Sequence, residues 1–248
     1  MRVLTYHRFG ALPHDPFCVE PREFAAQVKL LADEGRAISL EQLQRYVAGD
    51  ARLPPDACLI TIDDGMLSTL TEALPVLQHF GVPAVAFVSA ALVGRAAADG
   101  EPERFLTWDE LRELGRSGLV AIGSHAHTHR SMALMPLPEA REEMAQSRRM
   151  LSDQLGLEVT SFAYPFGTVT DFNAGTDAAL ADSGYRIAFS SIHGAVRPGM
   201  APISLPRVKV EGGEPLGMFS LISRGGMDAW QAFDNSLWRL QRVRAEIS

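Results

Sequence analysis

The 248-residue sequence predicts an α/β fold: a distorted or incomplete (β/α) barrel with seven or so parallel strands, in a single domain spanning residues 1–248. Three observations predict it. Short apolar runs bounded by Gly, Pro or Asp alternate with segments of helical periodicity, and that alternation implies a parallel sheet covered by helices. Seven or so such units in one chain favour a barrel over an open doubly wound sheet. The composition, 46% hydrophobic and 21% charged, is that of a globular chain able to build one large core.

Strands are expected at Arg2–Tyr6, Cys58–Asp63, Ala84–Val88, Leu119–Gly123, Ser161–Tyr164, Tyr185–Ser190 and Ile203–Val210. They are brief and apolar, as parallel strands buried on both faces tend to be. Helical stripes lie between them. Phe24, Val28 and Leu31 mark the first, ended by Gly35. Leu70, Leu74 and Leu77 mark the second, ended by Gly81, with Pro75 expected in its first turn or at a kink. Thr107-Trp108-Asp109-Glu110 reads as a capping box opening the third. Leu137, Ala140, Met144, Leu151 and Leu155 give the fourth, with a charged outer face. Thr176 to Ser183, closed by Gly184, gives the fifth, and Trp230, Phe233, Leu237 and Leu240 the last. Arg95–Arg104 and Ala195–Pro202 read as surface loops.

Bulk properties exclude several functions. The net charge of −7 argues against nucleic-acid binding, which favours a basic face. Cys18 and Cys58 have no CxxC partner, so a thiolate metal site is out. Two buried free thiols are expected, with a Cys18–Cys58 disulfide as the alternative. No run reaches transmembrane length. Only two apolar residues follow Arg2 before Thr5-Tyr6-His7-Arg8, so no signal peptide is expected and a cytoplasmic location is the default, unless an export segment has been removed.

The chemistry is concentrated in a few positions. His125 and His129 lie four residues apart in Ser124-His125-Ala126-His127-Thr128-His129, a spacing at which two imidazoles can address one metal ion. One aspartate of Asp63-Asp64 can complete a three-ligand site with an open position for water, while the other stays free as a base. His127, between the histidines, is expected to point away. Each pattern alone has an ordinary reading, since Asp-Asp-Gly is a common strand-end turn. Together they gain weight from their placement. Tyr6-His7, Asp63-Asp64-Gly65, Ser124–His129 and Tyr164-Pro165-Phe166-Gly167 all follow strands, and barrels gather their catalytic groups at the carboxyl ends of strands.

These residues resemble the polysaccharide deacetylase family, the metal-dependent carbohydrate de-N-acetylases. Thr61-Ile62-Asp63-Asp64-Gly65 matches that family's Thr-Phe-Asp-Asp-Gly motif. Ser124–His129 matches its histidine motif, and Pro165-Phe166-Gly167 its Pro-Tyr/Phe-Gly motif. The agreement covers roughly residues 1 to 210. The resemblance implies Asp63 as general base and Asp64, His125 and His129 as ligands of one divalent metal. The donor set suits zinc, and also cobalt, nickel, manganese or iron. Tyr6-His7 fits the branch of the family whose catalytic acid is a histidine near the N-terminus. Phe166, Gly167, Tyr164 and Arg207 are the candidate substrate and oxyanion groups, with the Phe166 N–H as oxyanion donor.

The chain departs from the pattern in one respect. Many members begin the third motif with an arginine that orients the base, and Phe162-Ala163-Tyr164-Pro165 contains none. The sequence leaves open whether Arg207, in Leu205-Pro206-Arg207, takes its place. The expected activity is removal of N-acetyl groups from a saccharide. Hydrolysis of a non-sugar C–N bond, O-acetyl ester hydrolysis by the same site, and an inactive carbohydrate-binding relative are the alternatives.

Overall fold

Seven strands form one all-parallel sheet in the computed structural model, which describes residues 1–12, 14–96 and 103–228. They are β1 (Arg2–Tyr6), β4 (Cys58–Ile62), β5 (Ala84–Val88), β6 (Val120–Ser124), β7 (Ser161–Ala163), β8 (Ile187–Phe189) and β9 (Val208–Lys209). A separate parallel pair joins β2 (Arg8–Phe9) to β3 (Cys18–Val19). The order across the main sheet is β8-β7-β6-β5-β4-β1-β9. The expected incomplete barrel is present, curled but open between β8 and β9.

One segment spans that seam. Leu205 bridges to Phe189 of β8, and three residues later Val208 pairs with Leu4 of β1. The crossing explains why the strand expected at Ile203–Val210 shortens to two residues. Most of that stretch is leaving one edge for the other.

Alternation with a period of two sorts the strand residues into two cores. Leu4, Ile60, Ile62, Ala86, Val88, Ile122 and Phe162 pack outward against helices. Val3, Leu59, Val85, Phe87, Ala163, Ile187 and Phe189 fill the barrel interior. Gly123 belongs to the interior row and has no room for a side chain. A Cβ there would lie 2.5 Å from Phe87 ring carbons and 2.7 Å from Ser161 Oγ.

The helices are α1 (Pro21–Asp33), α2 (Leu40–Val47), α3 (Leu74–Phe80), α4 (Trp108–Arg116), α5 (Leu137–Leu155), α6 (Ala174–Asp182) and α7 (Leu216–Ser223). Capping boxes start α2 at Ser39, α4 at Thr107 and α6 at Asn173. Pro75 sits in the first turn of α3, and a π-helical turn at Thr69–Ala73 precedes it, so the stripe beginning at Leu70 is not one continuous α-helix. The expected helix at Trp230–Leu240 lies outside the described residues. Cys18 and Cys58 are buried free thiols. No described helix is long and apolar enough to cross a membrane.

The Gly123 contact generates a prediction. Gly123→Ala forces the Phe87 ring off its position, and overpacking of this kind costs about 1–3 kcal/mol. Chemical denaturation of the variant is expected to show that loss. An unchanged denaturation midpoint contradicts the packing of Phe87 on Gly123.

Candidate active site

The strand rows carry their inward direction past the strand ends. In β1 the row Val3, Thr5 continues to His7. In β4 the row Leu59, Thr61 continues to Asp63. In β6 the Gly123 row continues to His125. Three short strands with one alternation therefore deliver His7, Asp63 and His125 to the mouth of the barrel interior, where all three line one cleft of about 670 Å³. Adjacent main chains are tied as the rows leave the sheet: Asp63 N–H donates to Tyr6 O at 2.9 Å and His125 N–H to Val88 O at 2.8 Å.

Asp64 leaves the row. Its φ of +73° is left-handed and swings its carboxylate toward the histidines. Asp64 Oδ1 lies 3.5 Å from His125 Nε2 and 3.2 Å from His129 Nε2. One donor atom from each residue falls within 4.8 Å of the others, close enough for the three to hold a single ion. His125 Nδ1 is hydrogen-bonded to Ala163 O at 2.8 Å, so Nδ1 carries the proton and Nε2 presents its lone pair to the site. That is the orienting contact expected behind a metal-binding imidazole. Two imidazoles and one carboxylate with an open side suit a catalytic divalent ion.

The two histidines do not share a helix. They stand on a loop in which Ala126 and His129 both have positive φ, 63° and 60°. Among the described residues, seven non-glycines adopt positive φ, and four of them (Asp64, Ala126, His129 and Phe166) are at this site. Such conformations persist only where surrounding contacts over-determine them. His127 is outside the three-residue donor group and does not line the cleft.

Asp63 is held from below. Arg207 Nη1 donates to Asp63 Oδ1 and Nη2 to Oδ2, each at 2.8 Å. Its remaining contacts are Nε to Ser190 O at 2.8 Å and Nη1 to Thr61 Oγ1 at 3.2 Å, with Phe87 beneath the guanidinium at 5.9 Å. Both partners are fully buried, Arg207 at 1% and Asp63 at 2% exposure. Burial acts most strongly on the Asp63 carboxyl and raises it, but the Arg207 charge, His125, the Arg207 hydrogen bonds and His7 outweigh burial, leaving its pKa below the ordinary value. Asp64 is lower still. Burial opposes ionisation there too, and is overcome by the hydrogen bonds of His125 and His129 and the charges of His125 and His7.

His7 is half-buried with Nδ1 lacking a hydrogen-bond partner. Burial lowers its pKa, against the opposing pull of Asp64 and Asp63. Phe166 is exposed, with its ring 5.1 Å from that of His129. The Gly167 N–H donates to Pro165 O at 2.6 Å. Gly167 itself is required by space, since a Cβ would lie 2.6 Å from Ser191 N.

Of the residues expected to meet substrate or oxyanion, Tyr164 lies away from the cleft and Arg207 lines it. Tyr164 is fully buried, its hydroxyl donating to Asp177 Oδ1 at 2.7 Å, because the β7 alternation turns it outward with Phe162. Arg207 faces the cleft, but four donor contacts commit its guanidinium to Asp63, Thr61 and Ser190. Two cleft residues had no motif to mark them. Phe17, exposed, stacks edge-on to His7 at 4.8 Å, and Lys209 lies over Phe17 at 4.5 Å. A lysine inside the apolar alternation Val208-Lys209-Val210 was the available signal for the second.

Removing one partner of a buried ion pair strands the other charge, at a cost of about 3–5 kcal/mol. Arg207→Met is therefore expected to destabilise the protein by that order at pH 7.5. The deficit depends on pH. In the parent, the lowered Asp63 pKa gives stability that is present above pH 3.8 and lost as pH falls through the folded value. In the variant the Arg207 contribution is gone while burial, the largest influence, remains, so the carboxyl is expected to be raised relative to the parent and protonation relieves the penalty as pH falls. Denaturation at pH 7.5 and 5 is expected to show a smaller gap at the lower pH. A gap that widens at pH 5 contradicts the pairing.

Comparisons with known proteins bear on this geometry. The family model described as polysaccharide deacetylase matches residues 50–188. The solved structure of IcaB from Ammonifex degensii is similar, with a TM-score of 0.77 and 33% identity over 93% of this chain and 96% of that one. YxkH of Bacillus subtilis is 26% identical over 212 residues, covering 85% of this chain and 71% of the relative. A poly-β-1,6-N-acetyl-D-glucosamine N-deacetylase of Staphylococcus aureus is 23% identical over 208 residues, covering 78% and 68%. With its fold, its strand-end site and a family match over more than half of its length, the chain belongs to the polysaccharide deacetylase family of hydrolases.

Proposed function

We propose that this protein hydrolyses the N-acetyl amide of an N-acetylated hexosamine within a saccharide. The observation that carries the reading is the pairing of a three-donor cluster (Asp64, His125, His129) with a separate buried carboxylate. Asp63 Oδ2 lies 4.0 Å from His125 Nε2, beside the cluster but held by Arg207. The name of the Staphylococcus aureus relative supports an N-acetylglucosamine polymer as the substrate class. The cleft volume is within the range of small-molecule sites, enough for a sugar and its acetamido group.

Amide hydrolysis needs a deprotonated water, a stabilised oxyanion and a proton for the departing amine. A divalent ion held by Asp64, His125 and His129 would supply Lewis-acid polarisation of the carbonyl and would lower the pKa of water to about 7. Zinc is the ion we favour, on the two imidazoles and one carboxylate. Asp63 takes the water proton. Its low pKa keeps it ionised at neutral pH, and the two-pronged Arg207 contact fixes which oxygen faces the cleft. The Phe166 N–H, presented by a left-handed turn at the rim, donates to the oxyanion. His7 protonates the amine as it leaves. Burial, which lowers the pKa of His7, makes its imidazolium the readier donor.

The test is acetate release from N-acetylglucosamine oligomers by zinc-loaded protein, beside the same assay after chelation. Release that chelation abolishes and zinc restores is expected. Asp63→Asn is expected to retain zinc and lose about 10²–10⁴-fold in kcat, the range for loss of general base catalysis. Release from O-acetyl esters alone, or from non-sugar amides alone, transfers the site to another substrate. Full activity in Asp63→Asn contradicts the base assignment.

A further inference from the structure

Helix α5 carries two polar side chains on a face that is otherwise apolar. Ala140, Met144 and Leu151 of that face are fully buried in the outer core. Glu143 and Ser147, one turn apart between them, are buried too, at 8% and 0% exposure. A buried carboxylate is expensive unless its oxygens are satisfied. All the hydrogen bonds of Glu143 go to one place, the loop carrying His125 and His129.

Glu143 Oε2 accepts from the main-chain N–H of His127 at 3.2 Å and of Thr128 at 2.8 Å. Its Oε1 accepts from Thr128 Oγ1 at 2.8 Å. Ser147 Oγ donates to Ala126 O at 2.9 Å and meets Ser124 Oγ at 2.8 Å. The opposite side of the loop is tied to the end of β5. Ser89 Oγ donates to His125 O at 2.8 Å, Ala90 N–H to Ala126 O at 3.2 Å and Ala91 N–H to His127 O at 2.8 Å. No side chain of α5 belongs to the three-residue donor group.

We propose that Glu143, supported by Ser147, is a positioning residue that clamps the His125–His129 loop in its metal-binding shape. The proposal rests on the reading of Asp64, His125 and His129 as metal ligands. Its physical reason is the strain in that loop. Ala126 and His129 both take left-handed backbone, which side chains rarely adopt, and neither is glycine. The peptide groups between them need fixed acceptors if His125 Nε2 and His129 Nε2 are to stay aimed at one point before an ion arrives. A charged acceptor is the strongest available for two N–H groups and a hydroxyl at once. Without it, the loop can relax its backbone by rotating the two imidazoles apart.

The test measures zinc affinity by competition with a chromophoric chelator in the parent, Glu143→Gln, Glu143→Ala and Thr128→Val, with circular dichroism as the check on folding. Loss of an outer contact that orients metal ligands typically lowers affinity about 10–100-fold, and Glu143→Ala is expected in that range. Glu143→Gln keeps an acceptor for both N–H groups and is expected within about threefold of the parent, since rescue by geometry separates positioning from charge. Thr128→Val removes only the Oε1 contact and keeps the fold testable if Glu143→Ala does not fold. It is expected between the two. A folded Glu143→Ala variant with parental zinc affinity, or Thr128→Val with parental affinity where Glu143→Ala fails to fold, overturns the clamp. A parent that binds no zinc instead removes the metal reading on which the clamp rests.

Discussion

The buried ion pair between Arg207 and Asp63 is the contact on which site and barrel both depend. Arg207 is on the segment that crosses from β8 to β9, and Asp63 directly follows β4, near the middle of the sheet. The pair therefore fastens the seam of an open barrel to its interior at the level of the cleft. It also fixes the carboxylate that we assign as the base. Such a pair adds little net stability over a well-packed apolar alternative, because two charges have been taken out of water. What it adds is direction. A carboxylate with both oxygens held by one planar guanidinium has one orientation.

Around that pair the site follows from strand arithmetic. One alternation, carried past three strand ends, brings His7, Asp63 and His125 to the same mouth. Residues that must turn the other way do so by left-handed backbone. Asp64 takes φ of +73° immediately after Asp63, so adjacent aspartates part company, one toward Arg207 and one toward the histidines. The proposed division of labour between a ligand and a base is in this sense a property of two consecutive backbone conformations.

Much of this was legible in the sequence, for physical reasons that differ by residue. The seven strands could be read because buried parallel strands are short apolar runs with sharp ends. The clustering of Asp64, His125 and His129 followed from their places at strand ends. Helix α2 was missed because its signal was a short capping box, Ser39 to Gln42, without a long stripe. Tyr164 was expected at the cleft because it adjoins Pro165-Phe166-Gly167, but strand parity turns it into the core. Arg207 was noticed as a candidate replacement for the absent motif arginine. Only the seam crossing, which no local pattern encodes, places it beneath Asp63. Glu143 and Ser147 were hidden because two polar residues in a long charged helix look like its outer face until the helix is docked.

The most direct measurement is X-ray absorption at the zinc edge of the loaded protein, compared with His125→Ala. Coordination by Asp64, His125 and His129 requires scattering from two imidazoles, with Zn–N near 2.0–2.1 Å and Zn–O near 2.0–2.2 Å, and loss of one imidazole in the variant. A spectrum without imidazole scattering, or one that His125→Ala leaves unchanged, contradicts the metal centre and the hydrolytic site built on it.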